Sequence, residues 1–206
     1  PQSLDELRDY ALELQKDGIK GFYFDLRELY FAWPIFSAYG ATVFRQDLEP
    51  GLTGPEGLKA CEYLRELRQT GLIPLGAKND FAKTMFLEGK LAMTLNGPWF
   101  LNDIRNAKVS YVIEPVPPGS QPSASFIGVT GLMMSGRSAR KADTLKLIEF
   151  LGSSENQVKL ALASGRVPAR KEAQKMAAQD PVSGKDIEAF TKIVEAGVAM
   201  PNHPAA

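Results

Sequence analysis

Glu28-Leu29-Tyr30-Phe31-Ala32-Trp33-Pro34 and Met93-Thr94-Leu95-Asn96-Gly97-Pro98-Trp99 are the two aromatic segments on which the reading of this chain turns. Each follows a strand pattern, Gly21 to Leu26 and Leu91 to Leu95, and each opens a helical one. That junction is where open α/β sheets place their ligand sites, in the crevice beyond the carboxyl ends of the strands. Both junctions carry rings, and the first adds the carboxylate of Glu28. Flat apolar faces beside a hydrogen-bonding anion suit a sugar: rings stack on its C–H surface while the carboxylate accepts from its hydroxyls. The competing reading makes Tyr30, Phe31, Trp33 and Trp99 core residues, because aromatic side chains at helical spacing usually pack inside.

Outward from these segments, the pattern alternates helix and strand. Ser3-Leu4-Asp5-Glu6 is a capping box, and Leu4, Leu7, Tyr10, Ala11 and Leu14 form one apolar stripe behind it. The helix that holds the first rings starts near Phe31, with Pro34 in its first turn, and stops at Gly40. Thr42 to Arg45 forms a short strand, and Thr53-Gly54-Pro55-Glu56 caps a helix whose Leu58, Cys61, Leu64 and Leu67 face inward, so that the Cys61 thiol is buried. Asp80 caps a shorter helix before the strand at Leu91. Lys108 to Val116 and Phe126 to Met134 are extended, and from Ala139 onward helix follows helix.

Composition narrows the function classes. The 206 residues carry 24 Lys plus Arg against 24 Asp plus Glu, so no global field favours nucleic acid or an acidic membrane. No apolar run approaches the ~20 residues of a membrane-spanning helix. A single cysteine excludes an internal disulfide and a cysteine-rich metal site, and no phosphate-binding GxxxxGK[ST] loop occurs. His203, the one histidine, sits in a Pro-rich tail and is given no catalytic or metal role. No cofactor is expected.

Three segments carry a family resemblance. The pattern E-x-Y-F-x-W-P at Glu28 to Pro34, F-x-x-G-K-x-A-M-T-x-N-G-P-W at Phe86 to Trp99 and A-M-P-N-x-P at Ala199 to Pro204 resembles the maltose-binding proteins, sugar-binding subunits of bacterial ABC importers. The resemblance implies an α/β fold of the type II periplasmic-binding-protein kind, a lobe built as a three-layer α/β/α sheet. Residues 1–127 and 182–206 would form the second lobe, 128–131 a crossover next to the hinge, and 132–178 a helical segment belonging to the other lobe. The chain would then correspond to the middle of a full-length member and would hold an incomplete cleft. The resemblance also implies a maltooligosaccharide ligand, a membrane permease as partner, and a periplasmic or otherwise extracytoplasmic location.

Carried over residue by residue, the resemblance has Glu28 accept from glucose hydroxyls, Tyr30 and Trp99 stack on successive rings, Phe31 line the same wall, and Met200 stand near the end of the cleft. Trp33 is left as core, since two residues beyond Phe31 a helix faces elsewhere. Asp25 and Arg27 are solvated loop charges, with a contact at the rim as the alternative. The helices of 139–178, without their own sheet, should expose apolar faces and pack against a complementary fragment or a swapped copy. Two other classes compete with a non-enzymatic binder. A glycoside hydrolase would need a second carboxylate near Glu28, for which only Asp103 offers itself. An assembly module would use 139–178 as its surface.

Overall fold

A computed structural model describes residues 1–74, 76 and 78–202. Its first helix, α1 (Leu4–Leu14), is capped by Ser3, whose hydroxyl accepts from the Glu6 N–H at 3.1 Å. The Glu6 carboxylate reaches back one residue further than a capping box requires and accepts from the Gln2 N–H. Leu4, Leu7 and Ala11 are buried, while Tyr10 and Leu14 at the stripe's margin are exposed. The helix lies so close to strand β1 (Lys20–Tyr23) that a Cβ on Gly21 would stand 1.7 Å from the Ala11 carbonyl oxygen. Backbone cannot yield as a side-chain tip can. Gly21→Ala is therefore expected to destabilise the fold by about 3 kcal/mol, seen as a lower urea midpoint at unchanged slope.

β1 pairs in parallel with β2 (Leu91–Thr94), Lys20 opposite Leu91 and Tyr23 opposite Thr94. Parallel neighbours need a long crossover, and here it holds α2 (Leu29–Ala38), α3 (Pro55–Gln69) and α4 (Asn79–Leu87). Because the two strands point the same way, the segments that follow them emerge at one edge of the sheet. The fold class is α/β, with ladders shorter than the sequence suggests.

Helix α2 starts earlier than its apolar pattern implies, so Pro34 falls inside the helix rather than in its first turn. The Ser37 hydroxyl donates to the Pro34 carbonyl at 2.9 Å within the same helix. On α3 the inward stripe is Ala60, Tyr63, Leu64 and Leu67, and both Leu58 and Cys61 are exposed. Neighbouring helical residues are ~100° apart, so a stripe through Ala60 and Leu64 turns Cys61 outward. The expected cap at Thr53 is absent: Gly54 occupies the N-cap, and the Thr53 hydroxyl donates to the Pro50 carbonyl. Asp80 likewise lies in the first turn of α4, one residue past Asn79, rather than capping it.

A single 3-10 turn, Pro98–Phe100, leads into α5 (Leu101–Asn106). Residues 108–116 form no ladder, and Thr42 to Arg45 contributes only the bridge between Phe44 and Pro50. The run from Phe126 is strand only through Ile127 (β3), which pairs in parallel with β4 (Val198–Ala199). A strand pattern yields a strand only where a neighbour accepts its hydrogen bonds. Phe126 closes the main core, its ring stacked 4.4 Å from Trp33 at 8°.

The remaining helices are α6 (Lys141–Leu151), α7 (Ser154–Ser164), α8 (Lys171–Ala177) and α9 (Gly184–Glu195). Ala161, Ala177 and Ile187 unite the last three in a second, small cluster. Asp186 of α9 also accepts from Arg105 and Tyr111, tying this group back to α5. Helix α6 buries no residue at all, and Phe150 on it is 61% exposed. Together with Leu145, Leu147 and Leu160 it shows the apolar faces expected of helices without their sheet.

Candidate functional site

The shared sheet edge brings the two aromatic segments together. Tyr30, in the first turn of α2, and Trp99, in the turn after β2, have ring centroids 6.0 Å apart at 46°. Phe126 extends the group, 6.4 Å from Tyr30. Trp99 is 37% exposed, so the pair opens to solvent. Glu28 is the N-cap residue of α2 and is exposed, yet its side chain makes no capping hydrogen bond. A carboxylate at a helix N-terminus that leaves the backbone donors alone keeps its lone pairs for something else.

Phe31 and Met200 lie apart from the open pair of rings. Phe31 is 8% exposed and meets Tyr30 edge-on at 5.6 Å. Of the three rings Tyr30, Phe31 and Trp99 it is the most enclosed. Met200 is exposed one residue beyond β4, the strand that pairs with β3, whose Phe126 contacts Tyr30. Trp33 is buried in the core. His203 and Pro204 lie outside the described residues.

Asp25 is the main correction. It is 1% exposed, far from a solvated loop charge. Its carboxylate accepts from Arg27 Nε at 3.0 Å and Nη2 at 2.7 Å, and from the N–H groups of Arg27 and Asn79, both at 3.1 Å. The last bond places a carboxylate at the N-terminus of α4, where free donors and the helix dipole favour it. The Arg27 guanidinium, ahead of these backbone donors, holds the Asp25 carboxyl below its ordinary range against the opposing effect of burial. A carboxyl whose folded pKa is depressed stabilises fully above its unfolded pKa and loses that contribution as pH falls through the folded value. Asp25→Ala, which leaves a helix N–H unpaired, is expected to cost about 2–3 kcal/mol at neutral pH. In urea titrations the gap between the two proteins should then narrow in acid.

Asn79 continues the network. Its Oδ1 accepts from Asn96 Nδ2 at 3.2 Å, and Asn96 Oδ1 accepts from the Gly97 N–H at 2.9 Å. A Cβ on Gly97 would lie 2.2 Å from the Trp99 ring, so the indole rests directly on the glycine. Asn79 does not stand out in sequence, whereas Asn96 belongs to the second aromatic segment, where Asn96-Gly97 is a turn-forming pair.

Other chemistry is thin among the described residues. Asp103 is ion-paired to Lys83 at 3.0 Å, and no group of three or more His, Cys, Asp or Glu could hold a metal. No described helix is long and apolar enough to cross a membrane. A groove of about 390 Å³ lies between residues 113–116 and α9, lined by none of the five candidate residues.

Comparison with known proteins gives the family. The family model of the bacterial extracellular solute-binding proteins matches residues 1–191. The maltodextrin-binding protein MdxE of Bacillus subtilis is 26% identical over 98% of this chain and 51% of its own length. A galactooligosaccharide-binding protein of the same organism is 26% identical, over 83% of this chain and 44% of its own. The solved structure of the Thermus thermophilus maltotriose-binding protein with maltotriose superposes with a TM-score of 0.85 at 32% identity, covering 99% of this chain and 56% of that one. The chain thus spans about half the length of the relatives it matches. With a match that takes in both aromatic segments and the helices beyond them, the chain belongs to the bacterial extracellular solute-binding proteins.

Proposed function

We propose that this chain supplies one wall of a maltooligosaccharide cleft in the sugar-binding subunit of a bacterial ABC importer. The observation that carries it is the convergence of Tyr30 and Trp99 at one sheet edge, 6.0 Å apart. The two rings would stack on successive glucose units, Glu28 would accept from their hydroxyls, Phe31 would back Tyr30, and Met200 would stand at the cleft's end. Residues 128–131 would lead the chain towards a hinge, and 132–178 would belong to the opposite lobe. There α9 is the joint, because Ile187 sits in the helical cluster while β4 returns to β3. The exposed faces of α6 and α7 would be covered by the rest of a full-length protein, which would work outside the cytoplasmic membrane and deliver sugar to a permease.

A binding role without catalysis is favoured over hydrolysis. Cleaving a glycosidic bond takes two carboxyl groups facing one sugar, and Asp103 is engaged by Lys83. Tryptophan fluorescence tests the reading: maltotriose should change Trp99 emission once the complementary part is present, and a galactooligosaccharide should do so less. No response to either sugar, or shortened maltooligosaccharides after overnight incubation, would reject it.

A further inference from the structure

We infer that Asn79 and Asn96 are positioning residues that register the two halves of the aromatic wall against each other, an inference that rests on the sugar-binding reading above. The segment carrying Glu28 and Tyr30 follows β1, and the one carrying Trp99 follows β2. Between those strand ends runs a continuous polar chain. Asp25, buried just past β1, holds the Asn79 N–H; the Asn79 carbonyl oxygen accepts from the Asn96 amide; the Asn96 oxygen accepts from the Gly97 N–H. Gly97 in turn is the surface on which the Trp99 indole rests. Each link is directional, and the first ends on the buried Asp25 carboxylate, so a shift of one strand end is passed on towards the indole.

The consequence is chemical. Two rings that stack on consecutive sugars must keep a fixed spacing, and ring contact alone is a shallow, sliding interaction. Hydrogen bonds specify distance and angle far more sharply. Among the described residues the side-chain hydrogen bonds of Asn79 and Asn96 run to each other and to Gly97, and the Asn79 N–H runs to Asp25, so the chain meets the aromatic wall at Trp99.

Three substitutions separate this linkage from ordinary turn chemistry. Asn96→Asp keeps an acceptor for the Gly97 N–H but cannot donate to Asn79. Asn79→Ala removes the acceptor, whereas Asn79→Asp retains it and suits the first turn of α4. Acrylamide quenching of the whole chain reads the outcome, because of the two tryptophans Trp33 is buried and Trp99 exposed. Asn96→Asp and Asn79→Ala are expected to raise Trp99 quenching and shift its emission to the red, with far-ultraviolet circular dichroism unchanged. Asn79→Asp should behave as the parent does. In the protein restored with its complementary part, the first two should bind maltotriose about tenfold more weakly, the equivalent of one hydrogen bond. Should Asn79→Ala fail to fold, Asn96→Asp decides alone. Parent-like quenching in Asn96→Asp overturns the inference. If Trp99→Ala left affinity unchanged, the sugar reading would fall while the quenching result still decided the linkage.

Discussion

Alone, this chain is expected to bind maltotriose no more tightly than about millimolar, and addition of the part of a full-length family member that it does not span should tighten binding about a thousandfold. The reason is the geometry of one wall. Binding sites bury most of a small ligand's surface, and in the proposed cleft Tyr30, Trp99 and Glu28 would meet the sugar from one side only. Losing about 4 kcal/mol of contacts lowers affinity about a thousandfold. Each hydroxyl left in water on the open side also gives up a charge-assisted bond worth about 1.5–3 kcal/mol. Calorimetry of the chain with and without the added part measures both states. Micromolar binding by the chain alone would mean that the wall is the whole site. The same addition should suppress binding of a hydrophobic dye, because Leu145, Leu147 and Phe150 of α6 are exposed. A helix with no buried residue has little to hold it beyond its own propensity.

In that restored protein, Trp99→Ala should weaken maltotriose binding about thirtyfold or more, the cost of truncating a large aromatic anchor at the centre of a contact. Trp99 is suited to that role by placement. It is partly exposed, lies against Tyr30 and is backed by a glycine that leaves the indole no room to sink. The change should cost less folding stability than truncating a fully buried ring, since a partly exposed side chain adds less to the core. Trp33→Ala should do the reverse: Trp33 is buried against Phe126, and its loss should cost about 3–5 kcal/mol of stability. An unchanged affinity in Trp99→Ala, measured by calorimetry, would remove Trp99 from the site.

Local patterning in the sequence determined much of this molecule. The cap at Ser3, the stripe of Leu4, Leu7 and Ala11, the helices from 139 onward and the two strand-to-helix junctions all follow from side-chain periodicity and turn residues a few positions apart. Those signals are local, and a chain carries them wherever it folds. The placement of rings and an acid at two junctions was legible for the same reason.

Tertiary structure alone decided the rest. Whether 108–116 became a strand depended on a neighbour that no local pattern announces. Cys61 turned outward because the stripe on α3 passes through Ala60 and Leu64. Asp25, an ordinary loop carboxylate by sequence, became a buried knot because Arg27 folds back on it and the N-terminus of α4 arrives from 54 residues away. Asn79 and Asn96 acquired a role only when parallel pairing of β1 with β2 set their turns side by side. Periodicity sets which face a side chain takes. Which distant group meets that face depends on long-range pairing of the chain, and that is a property of the fold.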